Sequence, residues 1–296
     1  VTKDEASRSA ALVDALASQD PDALVHAALV IATIEHGALD PSATVARLEA
    51  MGRGASSRLA RAAAVTAEAR VDTLNGYFFD ELGFSGNEQR YDDPRNSFIN
   101  DVIERRTGIP ISLSLVYIDV ARRAGVTLEG VNFPGHFLVR YPARVDDLGS
   151  GRDLLIDPFH RGALLSEPDC WRLLERHLGS EAALSRDMLA TADDRQILIR
   201  MLTNLKRLYV RSRSFTQALE ATDLLVVLDR DSLTELRDRG LLAYQLRQFP
   251  AALRDLEHYL QALSPVPHQL DEETRKEYEQ IWEHVKSLRR RLASFN

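Results

Sequence analysis

The sequence predicts an α+β domain followed by an all-α repeat domain, and three observations carry that prediction. Apolar residues recur at helical spacing through roughly the first 80 positions. Two short β-type runs, 137–141 and 153–157, sit mid-chain beyond a helix that is apolar nearly all round. From about Arg195 the chain is helical again and repeats itself with a period of 34 residues. The expected domains are 1–190 and 191–296.

The first helix signal is Leu24, Ala27, Ala28, Ile31 and Ile34, which opens after Asp20-Pro21-Asp22 and stops at Gly37. The Asp40-Pro41-Ser42 turn starts the next helix, and Ala-rich stretches continue the pattern over 45–71 as a packed helical scaffold. Segment 82–98 is dense in Gly, Asn, Asp and Pro, so it reads as a loop that starts a helix. Asp93 is its N-cap and Pro94 its first helical residue, with the helix running over 95–106 and stopping at Gly108. A second helix over 110–124 ends at Gly125, and its all-round apolar character predicts burial at the centre of the domain.

The runs FLVRY and DLLID predict an antiparallel hairpin closed by the Gly- and Asp-rich loop 142–152. Symmetric pairing about that loop sets Arg140 opposite Asp153, Leu138 opposite Leu155 and His136 opposite Asp157, and a one-residue bulge would flip the faces. In the C-terminal part, a 34-residue shift aligns Leu208 with Leu242, Phe215 with Phe249, Ala218 with Ala252 and Leu219 with Leu253. That period is the signature of tetratricopeptide helix pairs, in which small residues such as Gly240 let paired helices approach. Two copies are fewer than the ~3 that stand alone, so they should pack on the first domain or on a last helix over 272–292.

A chain of 296 residues with 37 basic and 44 acidic side chains has a net charge of −7, which argues against charge-driven binding to nucleic acid. One cysteine, Cys170, excludes an internal disulfide framework and a cysteine-rich zinc cluster, and favours a reducing compartment. The apolar stretch 23–34 is interrupted by His26 and falls short of the ~20 residues of a membrane span. The N-terminal stretch mixes both charges without the apolar core of a signal peptide. A cytoplasmic protein without membrane attachment is expected. With no P-loop, dinucleotide glycine fingerprint or HExxH motif, neither cofactor nor metal is expected.

The strongest chemical suggestion is His136 with Asp157, each beside a proline-containing turn at a strand end. A carboxylate beside an imidazole fixes its tautomer and stabilises its charged form, as general-base histidines require; the same pair can equally brace two turns. Such a dyad normally serves a nucleophile, and where that is a cysteine at the start of a buried helix, as in papain-type or transglutaminase-type sites, the positive helix end lowers the thiol pKa. The helix beginning GIPIS contains no cysteine, and its hydroxyls are Ser112 and Ser114. Ser112 is a tentative nucleophile that a first-turn role, bonding free backbone N–H groups, explains at least as well. Cys170, near a helix start set by Ser166, Pro168 and Asp169, reads better as a buried hydrophobe than as a reactive thiol. His160 either approaches the same pocket or caps its turn. Asp92 and Asp93 lack the alternating carboxylates of a calcium loop and read as caps. The basic end, Lys286 with Arg289 to Arg291, complements the last helix dipole.

Taken together, LGFSGNEQRYDDPRNSFINDVIERRTGIPISLSLVYIDVARRAG, EGVNFPGHFLVRY, LLIDPFHRG, RDRGLLAYQL and ALRDLEHYL resemble the bacterial SirB-type family. In that family a transglutaminase-like core precedes tetratricopeptide repeats. The resemblance spans nearly the whole chain in order. It implies a papain-like α+β core with helical N-terminal part and small antiparallel sheet, and a cysteine–histidine–aspartate triad. His136 in PGHF matches the family histidine and Asp157 in IDPF the aspartate, whereas the cysteine has no counterpart. Ungapped counting from Arg122 and Gly125 puts its position near Pro110, two residues from Ser112.

Two functions follow as expectations. One is a protein- or peptide-interaction protein, a pseudoenzyme domain lacking the thiol and assisted by a helical-repeat surface. The alternative is an amide- or peptide-bond hydrolase or acyltransferase that uses His136 and Asp157 with Ser112 or water as nucleophile. Oligomeric state is open.

Overall fold

The computed structural model describes residues 3–143, 151–179, 184–264 and 271–293. It divides into two compact units, Asp14–Met201, and Val1–Val13 together with Leu202–Asn296. The division falls inside the first helix, α1 (Lys3–Ala17), and again inside the helix Asp194–Arg211.

In the unit Asp14–Met201 the helices begin where Asp-Pro pairs put them. α2 (Ala23–His36) follows Asp22 and ends at Gly37, whose φ of 64° stops it. α3 (Pro41–Ala62) starts with Asp40 accepting the Ser42 N–H and Pro41 in the first turn. Ala63, at φ 46°, breaks the expected Ala-rich continuation before α4 (Ala67–Asn75) resumes it. A π-helical turn, Gly76–Glu81, follows directly and turns Tyr77, Phe78 and Phe79 inward, Phe78 stacking on Phe84 at 4.1 Å.

Two residues of β1 (Ser85–Gly86) pair in parallel with β2 (Thr107–Gly108). Between them the expected helix over 95–106 is corrected. Asp93 does cap, accepting the Arg95 N–H, but Pro94–Asn96 form one 3-10 turn, and α5 (Ile99–Arg105) starts afresh after Phe98. The reason is Asn96, which is fully buried and donates its side-chain amide to Arg90 O and Tyr91 O. An asparagine bonded that way competes with helical backbone pairing.

α6 (Pro110–Arg123) is the central helix, with eleven of its fourteen residues buried. It packs on the sheet and on the turn Pro158–His160. The sheet is four-stranded and antiparallel, in the order β3 (Glu129–Val131), β4 (Leu138–Tyr141), β5 (Leu154–Asp157) and β6 (Ala163–Leu165). The expected hairpin is its centre, with a register two residues away from the symmetric one: Arg140 faces Leu155 and Tyr141 faces Leu154. Asp153 leaves the ladder because its carboxylate accepts the Ala143 N–H, though it stays 3.6 Å from Arg140. A shift of two keeps every side chain on its expected face, where a shift of one would have reversed them. Positions 144–150 of the expected loop lie outside the described residues. α7 (Glu167–Leu178) closes the unit over Val131, Phe133 and Leu138 with Cys170, Leu173 and Leu174.

The other unit takes the later part of α8 (Asp194–Arg211), then α9 (Phe215–Leu228), α10 (Leu233–Gln245), α11 (Phe249–Leu263) and α12 (Glu272–Ala293). Phe215 and Phe249, equivalent under the 34-residue shift, are the first residues of α9 and α11. Ala218 and Ala252 are fully buried, and a Cβ on Gly240 would stand 2.8 Å from Leu256. The repeats do pack on the last helix, Leu256, Tyr259 and Leu260 meeting Ile281, Val285 and Leu288.

Candidate functional site

Two turns bring His136 and Asp157 together. In the first, the His136 N–H donates to Phe133 O at 3.1 Å, Pro134 fixes the first corner and Gly135 takes the second at φ 72°. Any other residue at Gly135 is strained, and its Cβ would stand 2.3 Å from His177 Cγ. In the second, Asp157 ends β5 and caps the turn Pro158–His160, its Oδ1 accepting the N–H groups of Phe159 (3.0 Å) and His160 (3.3 Å).

His136 Nε2 lies 3.0 Å from Asp157 Oδ1, and both side chains are buried. The other ring nitrogen, Nδ1, has no hydrogen-bond partner among the described residues. His160 Nδ1 lies 2.7 Å from Asp157 Oδ2, so one carboxylate holds two imidazoles. The His136 ring lies between His160 and His177, with centroid separations of 5.8 and 6.3 Å and interplanar angles near 25°. Burial pushes the Asp157 carboxyl up, but hydrogen bonds and attraction from His136 and His160 outweigh it and hold the group below the usual carboxylate range. Burial, followed by the neighbouring His136, Arg176 and Arg200, pushes the His177 imidazole down.

Ser112 is not brought into hydrogen bonding with His136. Its hydroxyl is fully buried, donates to Asn96 O and accepts the Ile109 N–H at 3.1 Å. It thus satisfies the first turn of α6, the role that its position allowed from the start. Pro110, at the counted position of the family cysteine, is buried as the first residue of α6. Cys170 is sealed in the apolar cluster below α7, and burial pushes its thiol up, away from reactivity. Of the three candidates named from sequence, the structure joins His136 and Asp157 and leaves Ser112 apart. His160 does approach the pocket. His177 was missed, because its closeness to His136 is tertiary and 41 residues of chain separate the two.

Beside Asp157 and His160 opens a cavity of about 250 Å³, also lined by Asp169, Arg172, Leu173 and Arg176. Among the described residues no helix is long and apolar enough to cross a membrane.

Comparison with known proteins agrees with the order of these parts. Residues 42–203 match the transglutaminase-like superfamily and residues 205–276 match a tetratricopeptide repeat. A UPF0162 protein of Xylella fastidiosa is 43% identical over 205 residues, 68% of this chain and 70% of that protein. A UPF0162 protein of Pseudomonas aeruginosa is 33% identical over 252 residues, 84% of this chain and 88% of that protein. The Homo sapiens F-box only protein 21 is 32% identical over 212 residues, 67% of this chain but only 32% of that protein. No solved structure matches. With a transglutaminase-like domain followed by tetratricopeptide repeats, and with relatives of this identity and coverage, the chain belongs to the UPF0162, SirB-type, family.

Proposed function

We propose that this is a protein- or peptide-interaction protein, built on a transglutaminase-like domain that has lost its thiol nucleophile. The observation that carries this reading is the first turn of α6. Pro110 and Ser112 fill it, and the Ser112 hydroxyl is consumed by Asn96 and Ile109. A serine is activated only by a base in hydrogen-bond reach, so a committed hydroxyl does not replace a thiol. The repeats supply the second support, because stacked helix pairs present extended binding surfaces.

A second reading, amide-bond hydrolysis with water as nucleophile, is favoured by one feature. His136 is already held by Asp157, and its Nδ1 is unpartnered among the described residues. The two readings separate on a library of peptide amides offered to the full chain, with turnover followed by released amine and binding by calorimetry. Saturable binding without turnover is expected, with an affinity unchanged by His136→Ala. Turnover that His136→Ala abolishes contradicts the interaction reading.

A further inference from the structure

Asp157 is shared by two imidazoles that arrive from different segments, and the cavity opens beside two of the three groups. His136, Asp157 and His160 each offer one ligand atom and these lie within 4.8 Å of one another, the nitrogens facing the carboxylate being His136 Nε2 and His160 Nδ1. We infer that these three atoms form a binding site for a divalent late first-row transition-metal ion of the zinc type.

The donor set fits that class. Two imidazoles and one carboxylate suit zinc, iron(II), cobalt(II) and nickel(II), and an all-oxygen set would be needed for calcium or magnesium. Ligand bonds of about 2.0–2.2 Å set two donors of one ion about 3–3.5 Å apart. His160 Nδ1 and Asp157 Oδ2 now stand 2.7 Å apart and the three donors lie within 4.8 Å of one another, so the ligands reach that spacing by moving His160 outward and bringing His136 to Oδ2. Neither neutral ring has to lose its proton. His136 carries it on Nδ1 and His160 on Nε2, and each turns a lone pair to the ion in place of an N–H to the carboxylate.

The surroundings support the first three ligands. The Phe159 and His160 N–H groups fix Asp157 Oδ1 and leave Oδ2 for the ion, the kind of outer hydrogen bonding that orients ligating carboxylates. His136 is held by its turn, and His160 by the same 3-10 turn that Asp157 caps. The cavity of about 250 Å³ beside Asp157 and His160 leaves room for a further oxygen ligand, and Arg176 lines it together with Arg172, which is paired there with Asp169. The ion is not required for peptide binding, so this inference goes beyond the interaction reading and fails or holds without it.

The test uses the full chain, freed of metal by a chelator and titrated with Co²⁺ followed in the visible spectrum, then with Zn²⁺ in competition. One equivalent of Co²⁺ is expected, displaced by Zn²⁺. His160→Ala should weaken it by about 100-fold while leaving the metal-free unfolding midpoint near that of the wild type, because His160 is 45% exposed at its side chain. His177→Gln, which removes a stacked ring outside the ligand set, should bind as the wild type does. Absence of a one-equivalent signal, or equal affinity in His160→Ala, overturns the site.

Discussion

At the scale of single residues, Asp157 organises the site. It accepts bonds from two backbone N–H groups and lies within hydrogen-bond distance of two imidazoles while almost wholly buried. Asp157→Ala strands those donors, and each buried unsatisfied group costs about 1–3 kcal/mol, so a loss of at least about 3 kcal/mol is expected in urea unfolding. His160→Ala, at the half-exposed end of the same pair, should cost less than about 1 kcal/mol. Equal losses in the two variants would contradict the burial contrast on which the site rests. The His136–Asp157 pair was legible because strand alternation keeps faces even when a register is two residues out. The second imidazole and His177 were not assigned, because nothing local in DPFHRG or ERHLG encodes their shared distance to one carboxylate. Asn96 was equally illegible: its inward amide looks in sequence like any loop asparagine.

At the scale of elements, the caps carried most of the information. Asp-Pro pairs and glycine stops placed α2, α3 and α6 because those residues act on backbone groups of their own neighbours. The edge strands β3 and β6, three residues each, were invisible because so short a run has no measurable alternation. Two element-scale predictions follow from packing and charge. A Cβ at Gly52 would stand 2.3 Å from Arg123 Cβ, where α3 crosses α6, so Gly52→Ala should destabilise by about 1–3 kcal/mol. The N-cap of α2, Asp22, meets Arg122 and Arg123 at the end of α6 at 2.7 and 2.5 Å. Burial pushes the Asp22 carboxyl up, but bonds from Arg123 and Arg122 outweigh it and hold the folded pKa below the unfolded one. Its stabilisation is therefore complete above the unfolded value of about 3.9 and is lost as pH falls through the folded value. Asp22→Asn should be less stable than the wild type by about 1 kcal/mol at pH 7, with urea midpoints converging below about pH 4. A gap that persists at the acid end would exclude Asp22 as its source.

At the scale of the whole chain, repeat period and motif order identified both parts, and the matched segments 42–203 and 205–276 follow the same order. The net charge of −7 supplies no overall electrostatic attraction to a polyanion. What the chain does with His136 and Asp157 turns on whether any side chain can attack a carbonyl. The most direct measurement is peptide mapping by mass spectrometry after the folded, full chain meets iodoacetamide and, separately, a fluorophosphonate. The account predicts no adduct on Cys170, sealed below α7, and none on Ser112, committed to the α6 cap. A stoichiometric adduct on either residue that disappears in His136→Ala would contradict it.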